Sequence, residues 1–215
     1  MITALGPAQV LLILQGLKWT LLLSVIAFIG GGIGGFIIAL CRTSKFLVLR
    51  AGATGFIEAF RGTPLLLQLF MVYYGLALLN LPLDPWVAVA AGFTLNASAF
   101  LGEIWRGSIE SVPKGQSEAA YALGLHYWPV MRTIVLPQAV RLSIPPTVGF
   151  LVQLIKGTSL AAIVGFTELS RTGQELSNIT YRPLLIYSII GLVYFIICWP
   201  VSLFGKRMER KLAVG

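Results

Sequence analysis

The 215-residue chain holds one histidine, His126, one aspartate, Asp84, and two cysteines, Cys41 and Cys198. So few reactive side chains leave little material for a metal cluster or a disulfide framework. They also fall short of the His, Asp or Cys constellation that acid-base or nucleophilic catalysis requires. Hydrolytic and redox enzymes are therefore poor readings, and neither catalytic nor metal-binding residues are expected. A phosphate loop of the form G-x-x-x-x-G-K-S/T is missing as well. The glycine cluster Gly30, Gly31, Gly32, Gly34 and Gly35 lies inside an apolar run rather than between a strand and a helix, where close helix packing explains it better. Long linkers, low-complexity tracts and clear internal repeats are absent. Charge is scarce too: 11% of residues are Asp, Glu, Lys or Arg, against about 25% in an ordinary soluble domain.

What is abundant is apolar surface. With 57% hydrophobic residues and a mean hydropathy of +0.85, the chain has the bilayer as its solvent. A helix needs about 20 largely apolar residues to cross about 30 Å of hydrocarbon. Five runs of that kind lie at about 17–40, 63–79, 86–104, 145–166 and 184–205, so an all-α integral membrane protein with five transmembrane helices is expected, as one domain over residues 1–215. An odd number of spans speaks against a simple duplicated pair. Met1–Gly16 has no basic stretch ahead of the first apolar run, so it reads as a retained helix rather than a cleaved signal peptide.

Sixteen Lys and Arg oppose eight Asp and Glu, a net charge of +8. Twelve of the sixteen share one side: Arg42, Lys45, Arg50 and Arg61 in the first loop, Arg106, Lys114, Arg132 and Arg141 in the third, and Lys206, Arg207, Arg210 and Lys211 at the C-terminus. By the positive-inside rule that side is cytoplasmic and the N-terminus lies outside. The basic excess thus reports topology and implies no nucleic-acid partner. Glu58 and Arg61, three residues apart before the second span, are expected to pair with each other.

The longest connection, 105–144, contains Gln116–Leu125, rich in good helix formers. A short helix opened by Pro113 and broken at Gly124 is expected there, followed by a second helical piece around Tyr127–Val135 that Pro137 closes. Spacing alone leaves three readings for such an element: an amphipathic anchor, a docking knob or a spacer. His126 reads as a polar loop residue, since no second histidine exists to share a metal or a proton.

The residues then narrow the choice. Glu118-Ala119-Ala120, three residues, Gly124, nine residues and Ile134-Val135-Leu136-Pro137 resemble the EAA loop of ABC importer permeases. Glu58-Ala59-Phe60-Arg61-Gly62-Thr63-Pro64-Leu65, Asn96-Ala97-Ser98-Ala99-Phe100-Leu101-Gly102-Glu103-Ile104 and Lys156-Gly157-Thr158-Ser159-Leu160 are similar to the polar amino acid branch: histidine, glutamine, glutamate, arginine and opine importers. The resemblance covers nearly the whole chain. It implies a type I ABC importer permease of the prokaryotic inner membrane with cytoplasmic coupling helices. It further implies docking of Glu118, Ala119, Ala120, Gly124 and Leu125 into a cytoplasmic ATPase subunit that carries the ATP and Mg, a second permease to complete a homo- or heterodimer, and an extracytoplasmic amino acid-binding protein. This chain itself is expected to bind no cofactor. Small Ala119 and Ala120 permit close approach, and Gly124 can adopt a positive φ.

Ionisable groups inside a membrane usually face a cavity or a partner, which singles out Lys156. Gln153, Lys156 and Leu160 share a helical face, and Asn96, Phe100 and Glu103 form a stripe on the third span, so the two stripes can line one cavity. A stripped amino acid needs donors for its carboxylate and acceptors for its ammonium. The candidate substrate-binding residues are Asn96, Ser98, Phe100, Glu103, Gln153, Lys156 and Thr158, with Glu103 meeting an ammonium or, alternatively, pairing with Arg106. Lys156 has the alternative of snorkelling or binding a helix-end carbonyl. Relatives commonly carry Asn, Asp or Glu after the lysine where this chain has Gly157, which leaves room for the substrate site to belong to a different permease of a heterodimer. The competing function is an ion-coupled secondary transporter or channel, which would want intramembrane carboxylates or a repeat and would have no use for a coupling loop. Five spans are also too few to enclose a path comfortably, so a dimer is expected on packing grounds.

Overall fold

The computed structural model describes residues 6–44 and 46–213. Met1–Leu5 and Lys45, the latter one of the twelve bases assigned to the cytoplasmic side, lie outside the described residues. Every regular element among the described residues is helical: α1 (Pro7–Arg42), α2 (Leu47–Gly62), α3 (Leu65–Leu78), α4 (Pro85–Glu110), α5 (Lys114–Ala122), α6 (Tyr127–Val164), α7 (Leu169–Thr180) and α8 (Pro183–Ala213). Helices α1, α4, α6 and α8 are long and apolar enough to cross a membrane.

The remaining leg corrects the sequence reading. The segment expected as a span over 63–79 is the short helix α3, about 21 Å long at about 1.5 Å per residue, and the preceding residues, read as a loop, form α2. Arg50, Glu58 and Arg61 break the apolar run, yet Ala53 and Ile57 still give α2 a buried face against α1 and α4. Together α2 and α3 run antiparallel to α4, as the neighbours Arg61 and Glu103, Gln68 and Asn96, and Leu69 and Gly92 require. The leg breaks at Thr63 because the residue before a proline is excluded from the α region; its φ and ψ are −115° and 145°. The Gln68 amide heals the break by donating to the carbonyls of Phe60 at 2.7 Å and Thr63 at 3.0 Å, while the Thr63 hydroxyl donates to Ala59 O at 2.7 Å. Unpaired backbone is too costly at membrane depth to be left otherwise.

The glycine cluster behaves as expected. A Cβ on Gly31 would overlap Ala97, one on Gly35 would lie 2.9 Å from Gly102 N, and Gly30 and Gly34 abut Thr94 and Ser98. These contacts ascend both helices together, so α1 and α4 run parallel with their backbones in close approach. Trp19 of α1 and Trp86 at the start of α4 cluster with Phe166, the Trp86 and Phe166 rings stacking at 5.3 Å. Asp84 caps α4 by accepting from Trp86 N at 2.9 Å, with Pro85 in the first turn.

Pro137 does not close a separate piece. Helix α6 runs unbroken from Tyr127 to Val164, past Pro137, Pro145 and Pro146. A wide turn over Met131–Val135 makes this possible: Leu136 N bonds to Met131 O, five residues back, and this wider register accommodates the proline that follows without an N–H. Beyond Gly157 the helix tightens over Thr158–Val164 and ends at Gly165, φ 85°. Phe100 on Phe150 with Trp105 on Thr147 set α6 antiparallel to α4, and Cys198 beside Val152 and Ile155 with Gly205 on Val148 set it antiparallel to α8. Arg42, Arg106, Arg132, Arg141 and Lys206 therefore gather toward one end of the bundle, the basic end. The main core joins Leu23, Leu69, Val89, Phe93, Leu101, Phe150 and Leu154; a second, at the opposite end, joins Ile13, Leu169, Leu176, Ile186 and Ile190.

Candidate functional site

At the basic end α5 projects as a knob on its own small core of Val112, Ala120, Val130, Val135 and Ala139. The helix starts after Pro113 and ends where Gly124 N donates to Tyr121 O at 2.9 Å and Leu125 N to Ala120 O at 3.1 Å. That double closure is a Schellman motif and needs the left-handed φ of 80° that Gly124 supplies. Glu118 and Ala119 are exposed, and around the turn so are Leu123 at 82%, Leu125 at 39% and Trp128 at 78%. Ala120 faces inward, so of the two alanines only Ala119 is presented outward. An apolar, backbone-defined protrusion of this kind suits a receiving cleft on another protein.

The stripe on α4 divides. Asn96 is buried and its amide donates to Gln68 Oε1 at 2.9 Å, which completes the clasp over the Thr63 break. Ser98 faces Gly34 of α1, its hydroxyl donating to Thr94 O at 2.8 Å, away from Phe100 and Glu103. Phe100 stacks on Phe150 with centroids 5.4 Å apart, and the Arg61 guanidinium lies over its ring at 5.7 Å. Arg106 grips both oxygens of Glu103 at 2.7 Å and also pairs with Glu110. Arg61 reaches Glu103 Oε1 at 3.4 Å; the expected Glu58–Arg61 pair is not formed, because Arg61 turns from its own helix toward α4. Phe100, Glu103 and Arg61 open into a cavity of about 420 Å³, walled across by Leu142 and Pro146 of α6.

Gln153 and Lys156 stand apart from it. Both are exposed on the single chain, and Lys156 lines a second groove of about 340 Å³ with Tyr194, Cys198, Trp199 and Ser202 of α8. Thr158 is fully buried, its hydroxyl donating to Ile155 O at 2.7 Å. Within one chain the two polar stripes therefore line separate cavities instead of one. A side chain at Gly157 would meet Leu65 and Phe93 at 3.5 and 3.6 Å, on the core side of α6.

Three polar interactions escaped sequence reasoning. Gln68 is the one amide in the apolar stretch Leu65–Leu78, a signal that was readable. The turn of Arg61 toward Glu103 has no local signature. Glu168, at the opposite end, is fully buried and caps α7, accepting from Ser170 N at 2.9 Å and Arg171 N at 2.8 Å and from the Tyr194 hydroxyl at 2.9 Å. Leu169 N donates to Thr20 Oγ1 at 3.1 Å beside it, so the knot ties α7 to α1 and α8. Burial pushes the Glu168 carboxyl above its ordinary range, and these hydrogen bonds only partly offset it.

The chain has relatives among known proteins. Residues 31–214 match the family described as binding-protein-dependent transport system inner membrane component. The probable amino-acid ABC transporter permease protein YckA of Bacillus subtilis is 37% identical over 201 residues, 94% of this chain and 89% of that protein. The glutamine transport system permease protein GlnP of Escherichia coli is 37% identical over 214 residues, 99% and 97% of the two chains. Among solved structures, an amino acid ABC transporter with histidines superposes with a TM-score of 0.90 at 30% identity, over 97% of this chain and 100% of that one. The inward-facing MetNI methionine transporter, at 18% identity and a TM-score of 0.77 over 97% and 99%, shares the fold.

Proposed function

Since the chain belongs to the binding-protein-dependent transport system inner membrane components, multi-pass proteins of the inner membrane, we propose that it is the permease subunit of an ATP-driven importer of polar amino acids. The observation that carries this reading is the α5 knob, a rigid turn presenting Glu118, Ala119, Gly124 and Leu125 at the end of the bundle where the bases gather. That end faces the cytoplasm by the positive-inside rule. There a partner ATPase, holding ATP and Mg, receives the knob. A second permease, of this or another sequence, completes the path, and a binding protein delivers substrate from outside.

The coupling is mechanical. The core of the knob includes Ile109 at the end of α4, Val112 just beyond it, and Val130, Val135 and Ala139 from α6. A displacement of α5 by closing ATPases therefore reaches α4 and α6, the two helices that wall the Phe100 and Glu103 cavity, and can alternate its exposure. Phe100 and Glu103 face the substrate, Glu103 taking the ammonium. Asn96, Ser98 and Thr158 shape the spans around it through their buried hydrogen bonds. Gln153 and Lys156 face outward, where the second permease would bring them to the shared path. An ion-coupled transporter finds no support in the family or in the relatives.

The test is cross-linking. Ala119→Cys, in a Cys41→Ser and Cys198→Ser background, is combined with single cysteines around the presumed cleft of the partner ATPase in vesicles that import labelled amino acids. A cross-link that forms and arrests ATP-dependent uptake is expected. Full uptake with no cross-link from any cleft position would defeat the docking assignment.

A further inference from the structure

Glu103 has two unlike partners. Arg106 clamps both of its oxygens at 2.7 Å from the same helix, whereas Arg61 touches one oxygen at 3.4 Å from α2, with its side chain 46% exposed. A bidentate charged grip is the stronger of the two. Glu103 is thus a fixed anion and Arg61 a movable cation. The guanidinium of Arg61 lies against the face of Phe100, which is itself braced by Phe150. This wall guides the arginine, which among the described residues bonds to no side chain but Glu103, and the space before it is about 420 Å³, within the range of small-molecule sites.

Position adds to the chemistry. Glu103 lies seven residues before the end of α4 at Glu110, about 10 Å inward at about 1.5 Å per residue. Charges at such depth normally face a cavity and a partner. The other groove, around Lys156, brings Tyr194, Cys198 and Ser202 to its cation but no carboxylate. Of these two cavities, then, only the one at Arg61 is lined by both a cation and an anion, as a zwitterion demands.

Building on the importer reading above, we infer that Arg61 is a substrate-binding residue: the carboxylate of an α-amino acid takes the Arg61 guanidinium while its ammonium replaces that guanidinium on Glu103. Binding exchanges one ion pair for two, so neither charge of the site is left without a partner at any stage. When the amino acid leaves toward the basic end, Arg61 returns to Glu103 and the pair closes the route behind it. The Arg61–Glu103 contact is the empty state of the site, a latch that the substrate itself opens.

The test reads the two charges of the ligand separately. The whole complex, permease with its ATPases, is placed in lipid nanodiscs, and binding is measured for L-glutamine, for L-glutamine amide, which lacks the carboxylate, and for the deaminated acid, which lacks the ammonium. The wild type should prefer L-glutamine over each analogue by about tenfold or more, as expected for hydrogen bonds to charged groups. Arg61→Gln should abolish the preference over the amide and keep that over the deaminated acid; Glu103→Gln should do the reverse, and Arg61→Lys should retain part of the carboxylate preference. A merely structural Arg61 would weaken all three ligands alike. An unchanged preference over the amide in Arg61→Gln, or a wild type that binds no L-glutamine at millimolar concentration, overturns the proposal. ATP-dependent uptake in proteoliposomes is measured alongside: uptake with failed discrimination removes only the role of Arg61, whereas lack of ATP-dependent uptake of any amino acid removes the importer reading itself.

Discussion

Substituting Gly124 separates backbone conformation from bulk. Its φ is 80°, and a Cβ built there meets nothing within 4 Å, so within this chain the whole penalty of a side chain is conformational. For an ordinary L-residue the left-handed region costs about 1–2 kcal/mol. Relaxing out of it instead breaks the bonds from Gly124 N to Tyr121 O and Leu125 N to Ala120 O, each worth about 1 kcal/mol. Gly124→Ala should therefore unseat the turn by about 1–2 kcal/mol, a fall of about tenfold in the docking-competent population. Gly124→Val should do more, since a β-branched residue is a true outlier at this φ. Gly124→Asn, larger than alanine but tolerant of the left-handed region, should do less. ATP-dependent uptake in proteoliposomes at equal inserted protein should thus rank Gly, Asn, Ala, Val. If Asn falls below Ala, crowding against the partner governs the site. Normal uptake by Gly124→Val would refute the role of the turn altogether.

Three further outcomes follow from the packing. Gly31→Leu should drive α1 from α4 at Ala97 and lower the thermal stability of the purified protein by about 1–3 kcal/mol or more, while Gly52→Ala, which meets nothing within 4 Å, should not. Gln68→Leu strips partners from the Phe60 and Thr63 carbonyls and from Asn96; a loss of about 1–3 kcal/mol is expected, and a variant of wild-type stability would mean that the break is satisfied in another way. For Glu168, a carboxyl raised above 4.5 by burial is better accommodated protonated. Its contribution to stability is fully present below the unfolded value and declines as pH rises through the raised one. Unfolding of Glu168→Gln across that range should show a flatter pH dependence than the wild type, and Glu168→Ala should lose the α7 cap at every pH.

The α5 knob was legible in the sequence because its determinants are local: Pro113 opens the helix, Gly124 turns it, and both operate over a few residues. The long apolar legs were legible for the same reason. Helix α2 was hidden by Arg50, Glu58 and Arg61, since an apolar window cannot foresee that Ala53 and Ile57 suffice to bury one face against α1 and α4. The unbroken course of α6 was hidden by Pro137, which reads as a stop until the wide turn before it is seen. At the candidate site, helical spacing correctly joined Phe100 to Glu103 and offered Arg106 as the alternative partner that Glu103 indeed has. It paired Arg61 with Glu58 because it registers neighbours along one helix only. The clasp of Asn96 by Gln68 and the separation of Lys156 from Glu103 are tertiary facts, set by how three legs lie side by side.

Whether ATP hydrolysed on a partner drives this membrane subunit through the α5 knob is decided by purifying the protein from its native membrane in mild detergent and identifying what accompanies it by mass spectrometry. A stoichiometric ATPase subunit is expected, lost on Gly124→Val, with any second permease revealing a heterodimer. A protein that emerges alone and still transports in vesicles without ATP would contradict that coupling and make an ion gradient the energy source.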